Sequence, residues 1–157
     1  MARNQPPRRE RVIAAELLDS AIETARIPDN FTVEREGFAD LVLWVDAALI
    51  KQALVNLLIN AVQAQRTGGG HVGLRAHVSG DEVTIAVSDA GPGFDPDTLP
   101  LIFEPLVTTK ASGTGLGLAL VKSVIERHGG HVSANNRAAG GAEVRLYLPH
   151  ALPPEPS

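Results

Sequence analysis

Residues 54–63 read LVNLLINAVQ, and the two asparagines in that run decide how the chain around them is read. Ile50, Leu54, Leu57, Leu58 and Ala61 recur at helical spacing, which predicts a helix over 47–66. Asp46 suits its N-cap, and Gly68–Gly70 end it. Val55, Ile59 and Val62 occupy much of the opposite side. Between the two apolar faces runs a narrow stripe of Gln52, Asn56, Asn60 and Gln63, amides without charges. Asn is a poor helix former because its amide competes for nearby backbone groups. A buried amide costs about 1–3 kcal/mol for each hydrogen bond left unmade. The stripe therefore implies that something polar is to arrive there. Amide oxygens are hard ligands suited to Mg²⁺, which keeps several waters and is completed by substrate phosphates. Satisfaction by loop backbone or solvent is the alternative, and the helix alone leaves both open.

The chain of 157 residues is long enough for one domain with a real core. It is 44% hydrophobic and 20% charged, ordinary for a globular domain. A net charge of −4 gives no electrostatic footprint for nucleic acid. Arg3, Arg8 and Arg9 sit with Pro6 and Pro7 in what reads as a solvated linker over 1–9, with Arg11 just beyond it. There are no cysteines, which excludes disulfides, thiolate metal sites and a cysteine nucleophile, and fits a reducing compartment. No apolar run approaches the roughly 20 residues of a membrane span, and no signal peptide is visible. The end, PHALPPEPS, reads as a disordered tail over 150–157.

Working outward, Ile13, Leu17, Leu18, Ala21 and Ala25 predict a helix from Glu10 to Arg26, stopped by Pro28. FTVER (31–35) and LVLWV (41–45) predict a hairpin around Gly37. HVGLRAHV (71–78) and EVTIAVS (82–88) predict a second hairpin, turning at Gly80–Asp81. A helix over about 115–128 ends at Gly129–Gly130, and strands near 131–135 and 142–148 close the domain, placed at 10–149. The expectation is an α+β two-layer sandwich, three helices on a mixed, mostly antiparallel sheet.

Two glycine clusters carry further chemistry. In SDAGPGFD, Asp89 ends a strand and is followed by Gly91 and Gly93, which allow positive φ and close backbone approach to a flat ligand. A carboxylate there can accept from an exocyclic amine such as that of adenine, although the motif considered alone favours a tight turn with Asp as turn former. In TTKASGTGLGLALVK (108–122), Gly113, Gly115 and Gly117 open an amphipathic helix whose free N–H groups form an anion site. It is neither a P-loop nor a Rossmann fingerprint, since no Gly-Lys-Ser/Thr ends it and no strand leads straight into it. Thr108, Thr109 and Lys110 can add hydroxyls and a positive charge. Residues 94–112 have the length of a lid or binding loop, with Phe103 and Leu106 as apolar anchors.

Taken together, these segments resemble the GHKL superfamily of ATP-binding domains, which includes DNA gyrase, MutL, a chaperone family and the histidine kinases. NLLINAVQA resembles the N box, DAGPG the first glycine box, IFEPLVTTK the F box and GTGLGLALVK the second glycine box, in the family's order. HGGHVSA and EVRLYLP resemble its ending, with Gly141–Ala142 where relatives often carry Gly-Thr. The likeness runs from about Leu17 to Pro149 and is greatest to sensor kinases of the nitrogen-regulation and oxygen-sensor type.

The resemblance implies a Bergerat-type ATP-binding fold with Mg²⁺-ATP as ligand. By position it assigns Asn60 to the metal and Asn56 to the phosphates or the metal shell. Asp89 falls to the adenine amine, Gly91 and Gly93 to its pocket, and Phe103 to the lid anchor. Thr109, Lys110, Gly113, Thr114, Gly115, Leu116 and Gly117 would border the phosphates, with Asn56, Asn60 and Lys110 the catalytic set. Hydrolytic members carry a Glu where this chain has Asn56, which cannot act as a general base. Phosphoryl transfer relies on positioning and charge stabilisation, so a kinase fits better than an ATPase.

The five histidines, His71, His77, His128, His131 and His150, lack the acidic residue that follows a phosphoacceptor, and His128 and His131 read as structural or exposed. The acceptor is therefore expected on a separate dimerisation domain, of the same full-length protein or another chain, with a response regulator downstream. The expected whole is the catalytic domain of a cytoplasmic sensor histidine kinase, monomeric in isolation, with no nucleic-acid or direct membrane contact. The alternatives are a single-domain anti-sigma-type serine kinase and a non-catalytic nucleotide-binding module.

Overall fold

The computed structural model describes residues 5–65, 68–105 and 115–154. In chain order the elements are β1 (Glu10–Ile13), α1 (Ala14–Ala25), β2 (Phe31–Glu36), β3 (Val42–Val45), α2 (Ala47–Gln63), β4 (Gly70–Ser79) and β5 (Glu82–Asp89). A 3-10 turn at Leu99–Leu101 precedes α3 (Gly115–Arg127), β6 (His131–Asn136) and β7 (Ala142–Leu148). Five strands form one sheet in the order β2-β4-β5-β7-β6, antiparallel except for the parallel pair β2–β4. This is the expected two-layer α+β sandwich.

Alternation along the strands makes the core. Val72, Leu74 and Ala76 of β4, Val83, Ile85 and Val87 of β5, and Val144, Leu146 and Leu148 of β7 are buried in one cluster with the helices. Helix α2 occupies the centre, packed on β4 and β5 with α1 and α3 on either side. Its buried side is Ile50, Ala53, Leu54, Leu57, Leu58 and Ala61, the stripe expected from its period. Full burial of one such leucine stabilises the fold by about 1.5–3 kcal/mol. Asp46 caps the helix as expected, accepting from the Leu49 N–H at 3.2 Å.

Four expectations need correcting. The helix expected from Glu10 begins only at Ala14, because Glu10–Ile13 pairs antiparallel with β3 as a two-stranded sheet. Residues 31–35 and 41–45 do not form a hairpin with each other: β2 runs parallel to β4, and β3 turns away to β1. The described part of the stretch read as a solvated linker, residues 5–9, is docked. Arg9 donates to the Trp44 carbonyl at 2.9 Å and the His128 carbonyl at 3.0 Å, and the Arg127 Nε donates to the Gln5 carbonyl at 3.1 Å. The tail expected to be disordered is held through Pro154. Ala151 is fully buried, and its N–H and C=O pair with the Asp81 carbonyl at 3.0 Å and the Trp44 N–H at 2.6 Å. Among the described residues no helix is long and apolar enough to cross a membrane.

His128 joins two helices at this corner. Its Nε2 accepts from the Asp46 N–H at 3.1 Å, so Nδ1 carries the proton and donates to the Val124 carbonyl at 2.9 Å. Burial lowers its pKa, with Arg9 and Arg127 adding to that direction against the Val124 bond and Asp46. The folded state then binds fewer protons than the unfolded chain, so stability falls as pH drops below the unfolded value of about 6.5. The urea midpoint is expected to decline between about pH 7.5 and 5.5, and to decline less in His128→Gln. Equal pH dependence in the two proteins would move the effect to other groups.

Candidate functional site

Three of the sequence motifs meet along α2. Asn56 is half-buried, and its Nδ2 donates to the Gly117 carbonyl at 3.5 Å, a long contact that brings the start of α3 against the amide stripe. At the far end, Gly91 lies so close to α2 that a Cβ there would stand 2.8 Å from the Ala64 carbonyl oxygen. Asn60 lies four residues from each of these contacts, about 6 Å along the helix. It is half-buried, and its amide makes no hydrogen bond among the described residues. Gln52 and Gln63 are exposed. Gln65, just past the helix, bridges the Ala61 and His71 carbonyls, both at 2.9 Å, and accepts from the His71 N–H at 2.8 Å. It fastens the end of α2 to β4.

Asp89 is the last residue of β5, in the same phase as Val83, Ile85 and Val87, so its side chain points into the helical layer. That phase explains its 7% exposure. A carboxylate so placed needs partners. Oδ1 has them: the Gly91 N–H at 2.9 Å and the Ala142 N–H at 3.2 Å. Oδ2 has none among the described residues, so it is the oxygen left to meet a ligand. The backbone N–H of Ala142 supplies a bond to Asp89, and Gly141 (φ +90) lets the chain pass, since a Cβ there would stand 2.0 Å from the Asp89 carbonyl oxygen.

Of the other expected site residues, Gly93 has φ +86, and Gly115, Leu116 and Gly117 form the first turn of α3, where backbone N–H groups lack helical partners. Phe103 is half-buried against the core, beside the fully packed Ile102. The next residue, Glu104, pairs with Lys122 of α3 at 3.4 Å. Thr109, Lys110, Gly113 and Thr114 lie outside the described residues, as do Thr108, Leu106 and Val107.

Three contributors escaped the sequence reading: Asn136, Arg137 and Gln65. Arg137 Nη1 donates to the Asp89 carbonyl at 3.0 Å. Asn136 pairs with the backbone of Phe94. In the sequence the NNRAAGG run (135–141) signals only a turn.

A carboxylate at the end of β5 with one oxygen held, the amides of α2 and the start of α3 therefore lie along one helix, α2. The profile of histidine kinase-, DNA gyrase B- and HSP90-like ATPases matches residues 45–152. Sporulation kinase B of Bacillus subtilis is 37% identical over 124 residues, 79% of this chain and 29% of that protein. The chain thus spans less than a third of the length of that curated relative. The catalytic domain of histidine kinase ThkA, in a nucleotide-free form, superposes with a TM-score of 0.75 at 28% identity, covering 90% of this chain and 95% of that one. Full-length ShkA in complex with AMPPNP superposes at 0.81 and 28% identity, over 96% of this chain and 33% of that one. The motifs, the fold and the site geometry agree with these likenesses: the chain belongs to the histidine kinase-, DNA gyrase B- and HSP90-like ATPase family and has the fold of a histidine kinase catalytic domain.

Proposed function

We propose that this domain binds Mg²⁺-ATP and transfers its γ-phosphoryl group to a histidine on a dimerisation domain of a sensor histidine kinase, which then passes it to an aspartate of a response regulator. The carrying observation is Asp89, whose Oδ1 is pinned by two backbone N–H groups while Oδ2 has no partner among the described residues. A buried carboxylate fixed in that way suits an exocyclic amine, and Gly91, set against the Ala64 carbonyl, and Gly93, set against Asn136, shape the turn beside it. The AMPPNP bound in ShkA supports the same ligand class.

The other residues follow from their places around α2. Asn60 presents an accessible amide oxygen, a donor that fits Mg²⁺. Among the described residues no cluster of three or more His, Cys, Asp or Glu competes for that ion. One amide is a weak ligand by itself, so triphosphate oxygens complete the shell. Bound there, the ion neutralises charge on the phosphates. Asn56 and the first turn of α3 lie on the phosphate side, with Gly115, Leu116 and Gly117 offering backbone N–H groups to anions. Thr109, Lys110, Gly113 and Thr114 are assigned beside them by motif, with Lys110 as the positive charge. Phe103 anchors the segment that leads into that loop. Asn56 has no basic function, so the domain positions ATP and stabilises charge while the acceptor imidazole attacks. ATP supply places this chemistry in the cytoplasm, with the isolated domain monomeric.

Calorimetric titration of AMPPNP, with and without Mg²⁺, tests the reading. Asn60→Ala is expected to lose the Mg²⁺-dependent gain, roughly tenfold or more in affinity, while metal-free binding stays as in the native chain. A folded native chain that binds no AMPPNP overturns the proposal. Binding without transfer to any supplied dimerisation domain leaves a nucleotide-binding module.

A further inference from the structure

The turn between β6 and β7 grips the Asp89 segment at both ends. At one end Arg137 donates to the Asp89 carbonyl and the Ala142 N–H donates to Oδ1. At the other, Asn136 Oδ1 accepts from the Phe94 N–H at 2.6 Å while its Nδ2 donates to the Phe94 carbonyl at 2.8 Å. A single amide thus satisfies both backbone groups of one residue, as a neighbouring strand would. The turn is itself closed by Arg137 N–H to the Gly141 carbonyl at 2.8 Å and Gly140 N–H to the Arg137 carbonyl at 3.0 Å. Gly93 fits beneath the clamp, since a Cβ there would stand 2.7 Å from Asn136 Oδ1.

Asn136 is exposed, so the clamp fills no core and water could satisfy the same backbone groups. What it adds is selection. The segment Gly91–Phe94 contains two glycines, each with wide conformational freedom, and a ligand binding a loose segment must order it. Fixing Phe94 at one end and Asp89 at the other leaves that segment little choice before any ligand arrives.

We propose that Asn136 is a positioning residue for base recognition: its pairing with both backbone groups of Phe94 holds the Gly91–Phe94 turn in the shape that leaves Asp89 Oδ2 open to an exocyclic amine. The inference rests on the nucleotide reading of the site given above. It assigns Asn136 to the base end and gives it no part at the phosphate end.

The test titrates AMPPNP, with and without Mg²⁺, into the native chain, Asn136→Ala, Asn136→Asp, Asp89→Asn and the double variant Asp89→Asn/Asn136→Ala. Asn136→Ala is expected to bind about tenfold more weakly, with the ratio of affinities with and without Mg²⁺ unchanged. Asn136→Asp keeps the acceptor for the Phe94 N–H but turns a carboxylate oxygen toward the Phe94 carbonyl, so it too binds several-fold more weakly than the native chain. In the Asp89→Asn background the alanine substitution adds less than about twofold, because its effect runs through Asp89. Native affinity in Asn136→Ala, a changed Mg²⁺ ratio, or a full further loss in the double variant each overturns the proposal. Should the alanine variant not fold, Asn136→Asp carries the test. A native chain that binds no AMPPNP sinks the nucleotide reading and this inference with it. A native chain that binds, matched by Asn136→Ala, sinks the inference alone.

Discussion

Asp89→Asn is expected to weaken AMPPNP binding by about a hundredfold while the domain stays folded. The substitution is isosteric, so an amide oxygen can still accept from the Gly91 and Ala142 N–H groups that hold Oδ1. That choice places an NH₂ where Oδ2 stood, and a donor then faces the donor amine of the base. A hydrogen bond to a charged group contributes about 1.5–3 kcal/mol, and the opposed donors add the cost of an unmet polar pair. At about 1.4 kcal/mol per tenfold, the sum reaches two decades. Calorimetry reads the loss, and a thermal midpoint within a few degrees of native shows that the fold persists. Native affinity in this variant would remove Asp89 from base recognition.

Gly141→Ala is expected to be the most damaging single methyl group near the site. The new Cβ would stand 2.0 Å from the Asp89 carbonyl oxygen, and the position has φ +90, where an L side chain is strained. Backbone strain and a clash with a carbonyl together cost about 3 kcal/mol or more. For a domain of this size that lowers the thermal midpoint by roughly 6–12 °C. Gly140→Ala is the matched control, because φ is +103 but nothing lies within 4 Å of the added atom. It carries strain without collision, so its midpoint should fall by less than half as much. Equal shifts would show that the close approach does not hold the turn. Nucleotide binding should fail in Gly141→Ala even at temperatures where it is folded, since Ala142 and Asp89 move apart.

The elements that were legible in the sequence are those whose evidence is local. Helix α2 announces itself through Ile50, Leu54, Leu57, Leu58 and Ala61, and the β4–β5 hairpin through alternation on both sides of Gly80–Asp81. Strand pairing at a distance is different. Nothing in FTVER or LVLWV names a partner, and neighbouring strands usually pair, yet Gly37 is used to approach Ala76 rather than to close a hairpin. A Cβ at Gly37 would stand 2.1 Å from the Ala76 carbonyl oxygen. The opening strand Glu10–Ile13 fails for a related reason: four residues before a long helical pattern read as part of it until β3 is known to lie alongside.

The candidate site divides along the same line. Asn56, Asn60 and Asp89 stand out because their chemistry conflicts with their local setting: amides in an apolar helix and a carboxylate in the inward phase of a strand. Asn136, Arg137 and Gln65 suit their turns, so composition cannot single them out. Their importance comes only from what β6, β7 and β4 bring beside them.

The parallel pairing of β2 with β4 has a consequence for the order in which the molecule is built. Thr32 and His71 are matched across 39 positions, and α2 with its two asparagines lies inside the loop which that match closes. Long-range pairings form late, because chain entropy is lost before contacts reward it. Once formed, they tie the enclosed helix to the sheet, so α2 has no cheap route to open alone. Amide hydrogens of α2 should therefore exchange only through near-global unfolding. A ligand meeting Asn60 encounters a surface already assembled by the slowest step of folding, with none of its binding free energy spent on making the helix.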